Sequence, residues 1–124
     1  MAFYESIVII RQELSSTEVD KIAEDIKNII LTHKGEIIKT EYWGLRTLAY
    51  EIQNNRKGHY YFFGIKADKA ALDELDRKIK LSESIIRFSL VRVKTISSDP
   101  SPILKSKDSD GQNTIDVTLD KTSN

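Results

Sequence analysis

The sequence predicts an α+β fold of the ferredoxin-like kind: element order βαββαβ, a four-stranded antiparallel sheet, and two helices on one face. Three features carry this prediction. Residues 3–11, 36–52, 59–67 and 84–94 are rich in β-branched and aromatic side chains, as strands are. Two stretches after the first and third of these repeat apolar residues at helical spacing. The second and third strand stretches, in contrast, are separated only by Gln53 and the turn-rich "NNRKG". In that topology the first and third strands are central, and the second lies at an edge.

The elements follow in order. "FYESIVIIR" contains the continuous apolar run Ile7 to Ile10, which suits a central strand. "SSTEVDKIAEDIKNIILTHKG" opens with a capping box, Ser15 with Glu18 three residues on. It then repeats apolar residues at Val19, Ile22, Ile26, Ile29 and Ile30, with His33 closing the stripe before Gly35. The strand 36–52 is expected to turn through "NNRKG", with Gly58 supplying a positive φ, into its partner "HYYFFGIKA". Asp68 caps a second helix with Leu72, Leu75 and Ile79 on one stripe. "SIIRFSLVRVK" is the last strand.

Composition bounds the function. With 124 residues and 40% hydrophobic content the chain makes one small domain, expected over residues 1–96. Residues 97–124 hold both prolines and are rich in Ser, Asp, Asn and Lys, so a flexible polar tail is expected there. No cysteine is present, which excludes disulfides and thiolate metal sites. No apolar run approaches the roughly 18 residues of a membrane span, and no signal-type segment opens the chain, so a cytoplasmic protein is expected. Lys plus Arg and Asp plus Glu are 19 each, so any attraction to nucleic acid must be local. The charges are polarised, with acids in excess up to residue 45 and bases in excess over 46–94.

The second strand carries an anomaly. In "WGLRTLAYEI", alternation puts Arg46, Leu48, Tyr50 and Ile52 on one side and Trp43, Leu45, Thr47 and Ala49 on the other, so neither face is polar. An edge strand with two apolar faces points to a partner. Gly44 within it suggests a bulge or a close backbone approach, which would also re-aim Arg46.

These residues carry a resemblance. Tyr4 and Glu5 in the first strand, "WGLRTLAYEI", "KGHYYFF", "LDELDRKIKLSESIIR" and the closing "VRVK" resemble the family of the sixth protein of the bacterial small ribosomal subunit, over about 90 residues. The sequence departs from that pattern at Ala2 and Phe3, where a basic residue is usual, and at Glu51, where proline often follows the tyrosine. The resemblance implies a structural, non-catalytic component that binds central-domain 16S ribosomal RNA together with the eighteenth small-subunit protein. It implies no cofactor, metal, small-molecule substrate or membrane.

The residues themselves support an RNA contact. Arg46, Arg87, Arg92 and Lys94 lie on strands, where a rigid sheet would hold them, and arginine's planar fork suits phosphate. Arg56 and Lys57 in the turn are weaker candidates, and ordinary solvated charge is the competing explanation for all six. Trp43, Leu45, Tyr50 and Tyr4 are the expected protein contacts. The run Tyr60 to Phe63 resembles the base-stacking aromatics of the RNA-recognition motif, but His59 and Gly64 stand where that motif wants aromatics, so packing is expected. His33 and His59 have no further His or Cys to complete a metal site. Two alternatives share the architecture. An acylphosphatase-like enzyme would need an anion nest in "RQELSST", which lacks glycine, and a regulatory ligand-binding dimer would pair edge strands.

Overall fold

The computed structural model describes residues 1–97, 100 and 101, so the expected tail lies outside the described residues apart from Ser97, Pro100 and Ser101. The elements are β1 (Ala2–Arg11), α1 (Ser16–Thr32), β2 (Glu36–Ile52), β3 (Asn55–Ala67), α2 (Lys69–Leu81) and β4 (Ile85–Val93). They form one antiparallel sheet of order β2-β3-β1-β4. The ferredoxin-like arrangement is therefore present, with β1 and β3 central and β2 at an edge.

Local chemistry sets the helix ends. The Ser15 hydroxyl accepts from the Glu18 amide at 3.2 Å while the Ser15 amide donates to the Glu18 carboxylate at 2.9 Å, completing the capping box. At the other end the left-handed residue is Lys34 (φ 65), not Gly35. Lys34 donates to the Leu31 carbonyl and Gly35 to that of Ile30, a Schellman closure. Gly35 is required for a different reason: a Cβ there would lie 2.6 Å from the Lys66 carbonyl oxygen. Asp68 caps α2 by accepting from the Ala71 amide at 3.0 Å.

The β2–β3 connection differs from the expected one. Ile52 pairs with Asn55 across a two-residue loop, Gln53 and Asn54, both in the left-handed region (φ 48 and 66). Gly58 lies instead inside β3, opposite Arg46 and Arg11, where the Ile9 side chain occupies the space a Cβ would need. Asn55 anchors the loop from a buried position, accepting from the Gln12 amide and donating to the Gln53 carbonyl.

The main core lies between the sheet and both helices. Val8, Ile10, Phe63, Ile65 and Ala67 of the sheet meet Val19, Ala23, Ile26 and Ile30 of α1 and Ala71, Leu75 and Ile79 of α2. The opposite sheet face carries a second cluster of Ile9, Leu48, Tyr60 and Ile86, with Ile7, Trp43 and Ile52 packed against it. Ile26 is 4% and Leu75 1% exposed. Replacing either with alanine is expected to cost about 2–5 kcal/mol through lost burial and a cavity. Urea melts check this, and losses below about half a kcal/mol would place the residue outside the core.

Candidate RNA and partner interface

The helix-free face and the β2 edge carry most of the residues singled out from the sequence. Gly44 has φ 97, and the β2–β3 register shifts between Tyr42 and Gly44, so the bulge predicted from the sequence is present. Nothing lies within 4 Å of a Cβ built on Gly44, so backbone conformation alone calls for glycine. The bulge corrects the simple alternation drawn from the sequence. Trp43 joins Arg46 and Leu48 on the helix-free face, stacked on Phe62 at 5.3 Å between ring centroids, whereas Leu45 pairs with His59 on the other face. Arg46 is steadied by its own strand, its Nε donating to the Trp43 carbonyl at 2.9 Å.

A further register break between Thr47 and Ile52 lets the β2–β3 hairpin curl over this face. As a result Tyr50 of one edge strand meets Arg87 of the other. The Arg87 guanidinium donates to the Tyr50 hydroxyl at 3.1 Å and lies 5.5 Å from its ring centroid. Arg46 and Arg87 are thus brought to the same end of the same face, and Arg56 joins them by alternation from Gly58. The other predicted cations are placed elsewhere. Lys57 pairs with Thr47 on the opposite face, Arg92 pairs with Tyr4 on the helix side, and Lys94 follows the end of β4. Leu45 and Tyr50 are exposed, at 47% and 48%, while Tyr4 packs against the main core.

The remaining aromatics are structural. Tyr60, Phe62 and Phe63 are buried, so none is an open platform for bases. Tyr61 stacks on Phe63 and donates to the Asp20 carboxylate at 3.1 Å, and burial together with Asp20 pushes its hydroxyl pKa up to about 12. Tyr42 hydrogen-bonds His59 Nδ1 at 2.8 Å, and His33 bonds the Ile29 carbonyl. No group of three or more potential metal ligands occurs among the described residues. In the loop after β1 the Gln12, Leu14 and Ser15 amides donate to Asn55, Arg11 and Glu18, so those amides are engaged internally rather than turned to an anion.

One site was not foreseen. Glu41, on the helix-free face, accepts from the Trp43 indole at 2.9 Å and from the Ser101 amide at 3.1 Å, and lies 3.8 Å from the Lys39 ammonium. The Lys39 and Glu41 side chains are only 12% and 8% exposed. The spacing Lys39-x-Glu41 on one strand face was the available signal, since i and i+2 share a side.

This is a split βαβ binding module that presents an arginine-bearing sheet face and an apolar edge. The family model for ribosomal protein S6 matches residues 3–92. The small ribosomal subunit protein bS6 of Rickettsia prowazekii is 55% identical over 119 residues, 96% of this chain and 98% of that one. That of Rickettsia bellii is 51% identical over 118 residues, covering 95% and 98%. The crystal structure of 30S ribosomal protein S6 from Thermotoga maritima superposes with a TM-score of 0.71 at 33% identity, covering 74% of this chain and 87% of that one. The chain belongs to the ribosomal protein S6 family of the bacterial small subunit, and its role is structural rather than enzymatic.

Burial acts to raise the pKa of Glu41, but the hydrogen bonds from Ser101 and Trp43 and the charge of Lys39 outweigh it and hold the carboxyl below its ordinary value of 4.5. The unfolded chain therefore takes up this proton first as pH falls. The stability Glu41 contributes is present above its ordinary value and is lost as pH drops through the lowered one. Glu41→Gln is expected to flatten the acid limb of the stability curve in that window, as read by urea melts at a series of pH values. Parallel limbs would show that the Glu41 contacts are not maintained in solution.

Proposed function

We propose that this chain binds central-domain 16S ribosomal RNA on the cytoplasmic ribosome, as a heterodimer with the eighteenth small-subunit protein. The observation that supports the RNA contact is the gathering of Arg46, Arg56 and Arg87 from three strands onto one end of the helix-free face, with two of the three tethered. Tethering lowers the side-chain entropy lost on contact, and a guanidinium held through Nε or one terminal nitrogen still has donors for a phosphate. Leu45 and Tyr50, exposed on β2 but on opposite faces of it, supply apolar area for the protein partner, and Trp43 shares the face of Tyr50.

The other predicted residues take lesser roles in this reading. Arg92 and Lys57 lie on the other side of the sheet from the arginine group and Lys94 follows the end of β4, so the three serve as separate phosphate contacts, whereas Tyr4 supports β1 from the core side. Equal numbers of acidic and basic residues leave the isolated chain without a general attraction to RNA, so affinity rises when the partner adds its own basic residues.

Arg46→Ala, in the heterodimer, is expected to weaken binding to a central-domain RNA fragment. It should also lower the slope of log affinity against log salt by roughly 0.7–0.9, the contribution of one phosphate. Filter binding at several salt concentrations measures both. Equal affinities and slopes for mutant and wild type would remove Arg46 from the RNA contact.

A further inference from the structure

Arg11 closes β1 and pairs with Gly58 of β3, the same residue that Arg46 of β2 pairs with from the other side. The two arginines therefore stand two strands apart on the helix-free face, roughly 10 Å at ordinary strand spacing. Arg87 of β4 pairs with Ile9, which precedes Arg11 by two residues on that face. Arg11 and Arg87 line an open cleft of about 440 Å³ between the hairpin tip, at Gln53, and the α2–β4 turn, at Ser82 and Glu83. Lys80 lines it too and is paired with Asp76 at 3.0 Å, so the cleft wall carries three cations and one acid, Glu83.

The bonding of Arg11 fixes its stem and leaves its fork. Its backbone amide donates to the Ser84 carbonyl at 2.9 Å and its Nε to the Glu83 carbonyl at 2.7 Å, which ties the side chain to the α2–β4 turn. Its terminal nitrogens have only long contacts among the described residues, 3.5 Å from Nη2 to Gln53 Oε1 and 4.0 Å from Nη1 to the Glu13 carboxylate. Both exceed the usual N–H···O range of about 2.7–3.2 Å. The Glu13 side chain is also 64% exposed, so its hold on the fork is weak. A guanidinium anchored through Nε with its fork loosely held is pre-aimed for two-pronged contact with a phosphate.

We infer that this cleft seats a backbone phosphate of the RNA. Arg11 supplies the paired donors, while Arg87, held on Tyr50, and Lys80 add positive charge. The inference rests on the RNA reading above and extends that surface beyond the hairpin tip to the foot of β1. A phosphate within a strand fits better than a free anion, because Arg87 belongs both to the cleft and to the group of Arg46 and Arg56, so the two surfaces are continuous.

Filter binding of the heterodimer to the central-domain RNA fragment at several salt concentrations tests this. Arg11→Ala is expected to weaken binding about tenfold and to lower the slope of log affinity against log salt by roughly 0.7–0.9. Gln53→Glu leaves Arg11 and its bond to Glu83 in place but sets a carboxylate against the fork, so it should shift affinity and slope in the same direction. It keeps the test decisive if Arg11→Ala loosens the α2–β4 turn. Asn54→Asp puts the same charge one residue away, outside the cleft lining, and should have a clearly smaller effect. Equal losses from Gln53→Glu and Asn54→Asp would overturn the seat. If Arg46→Ala lowers the slope while Arg11→Ala and Gln53→Glu match the wild type, the seat is wrong and the RNA reading stands. A wild-type heterodimer that does not bind the fragment would remove both.

Discussion

Ile7 to Ile10 place apolar side chains on both faces of the central strand, and two helices can cover only one of them. Val8 and Ile10 go under the helices. Ile7 and Ile9 face the other way, yet Ile9 is 1% exposed. Burying such a side chain is worth about 1.5–3 kcal/mol, so a fold that left this face to water would forgo a sizeable part of its margin. The cover comes from the sheet itself. The β2–β3 hairpin bends over Ile9 and Ile86, setting Leu48 and Tyr60 on them, and the Tyr50–Arg87 contact joins the two edge strands above the cluster.

The requirement to curl explains features that would otherwise be unrelated. β2 breaks register with β3 at three places, because a flat strand of 17 residues could not wrap a face. Gly44 supplies one of these breaks and turns Trp43 onto Phe62. Gly58 admits the Ile9 side chain where the hairpin crosses β1. The arginines then stand at the rim of an apolar cluster rather than on an open plain, which is why two of them have fixed partners.

Much of this was legible beforehand. Periodicity, the Ser15–Glu18 box and the Asp68 cap defined the helices, and the continuous run in β1 marked a central strand. The bulge at Gly44 was readable because glycine inside a strand has few other causes. What could not be read were consequences of tertiary approach. Gly58 and Gly64 look like turn or flexibility residues in one dimension, and only the neighbouring Ile9 and Ile96 show why they lack side chains. Besides Gly44, positive φ values fell on Lys34, Gln53 and Asn54; asparagine favours that conformation by type, whereas at Lys34 and Gln53 only the local context admits it. The six predicted cations were separable only once strand register was known, since alternation past a bulge cannot be counted from sequence.

The broken register of β2 has a consequence for how such a chain is stored and concentrated. A long edge strand carrying exposed Tyr42, Leu45 and Tyr50 is the kind of template on which further strands stack into aggregates. Its interruptions at Ile37/Lys39, Tyr42/Gly44 and Thr47/Ile52 leave no long straight stretch on which a second molecule could zip up. The kinks that shape the helix-free face therefore also act as insulation against amyloid-like growth, so an effort to stabilise the protein by straightening β2 would raise its tendency to precipitate.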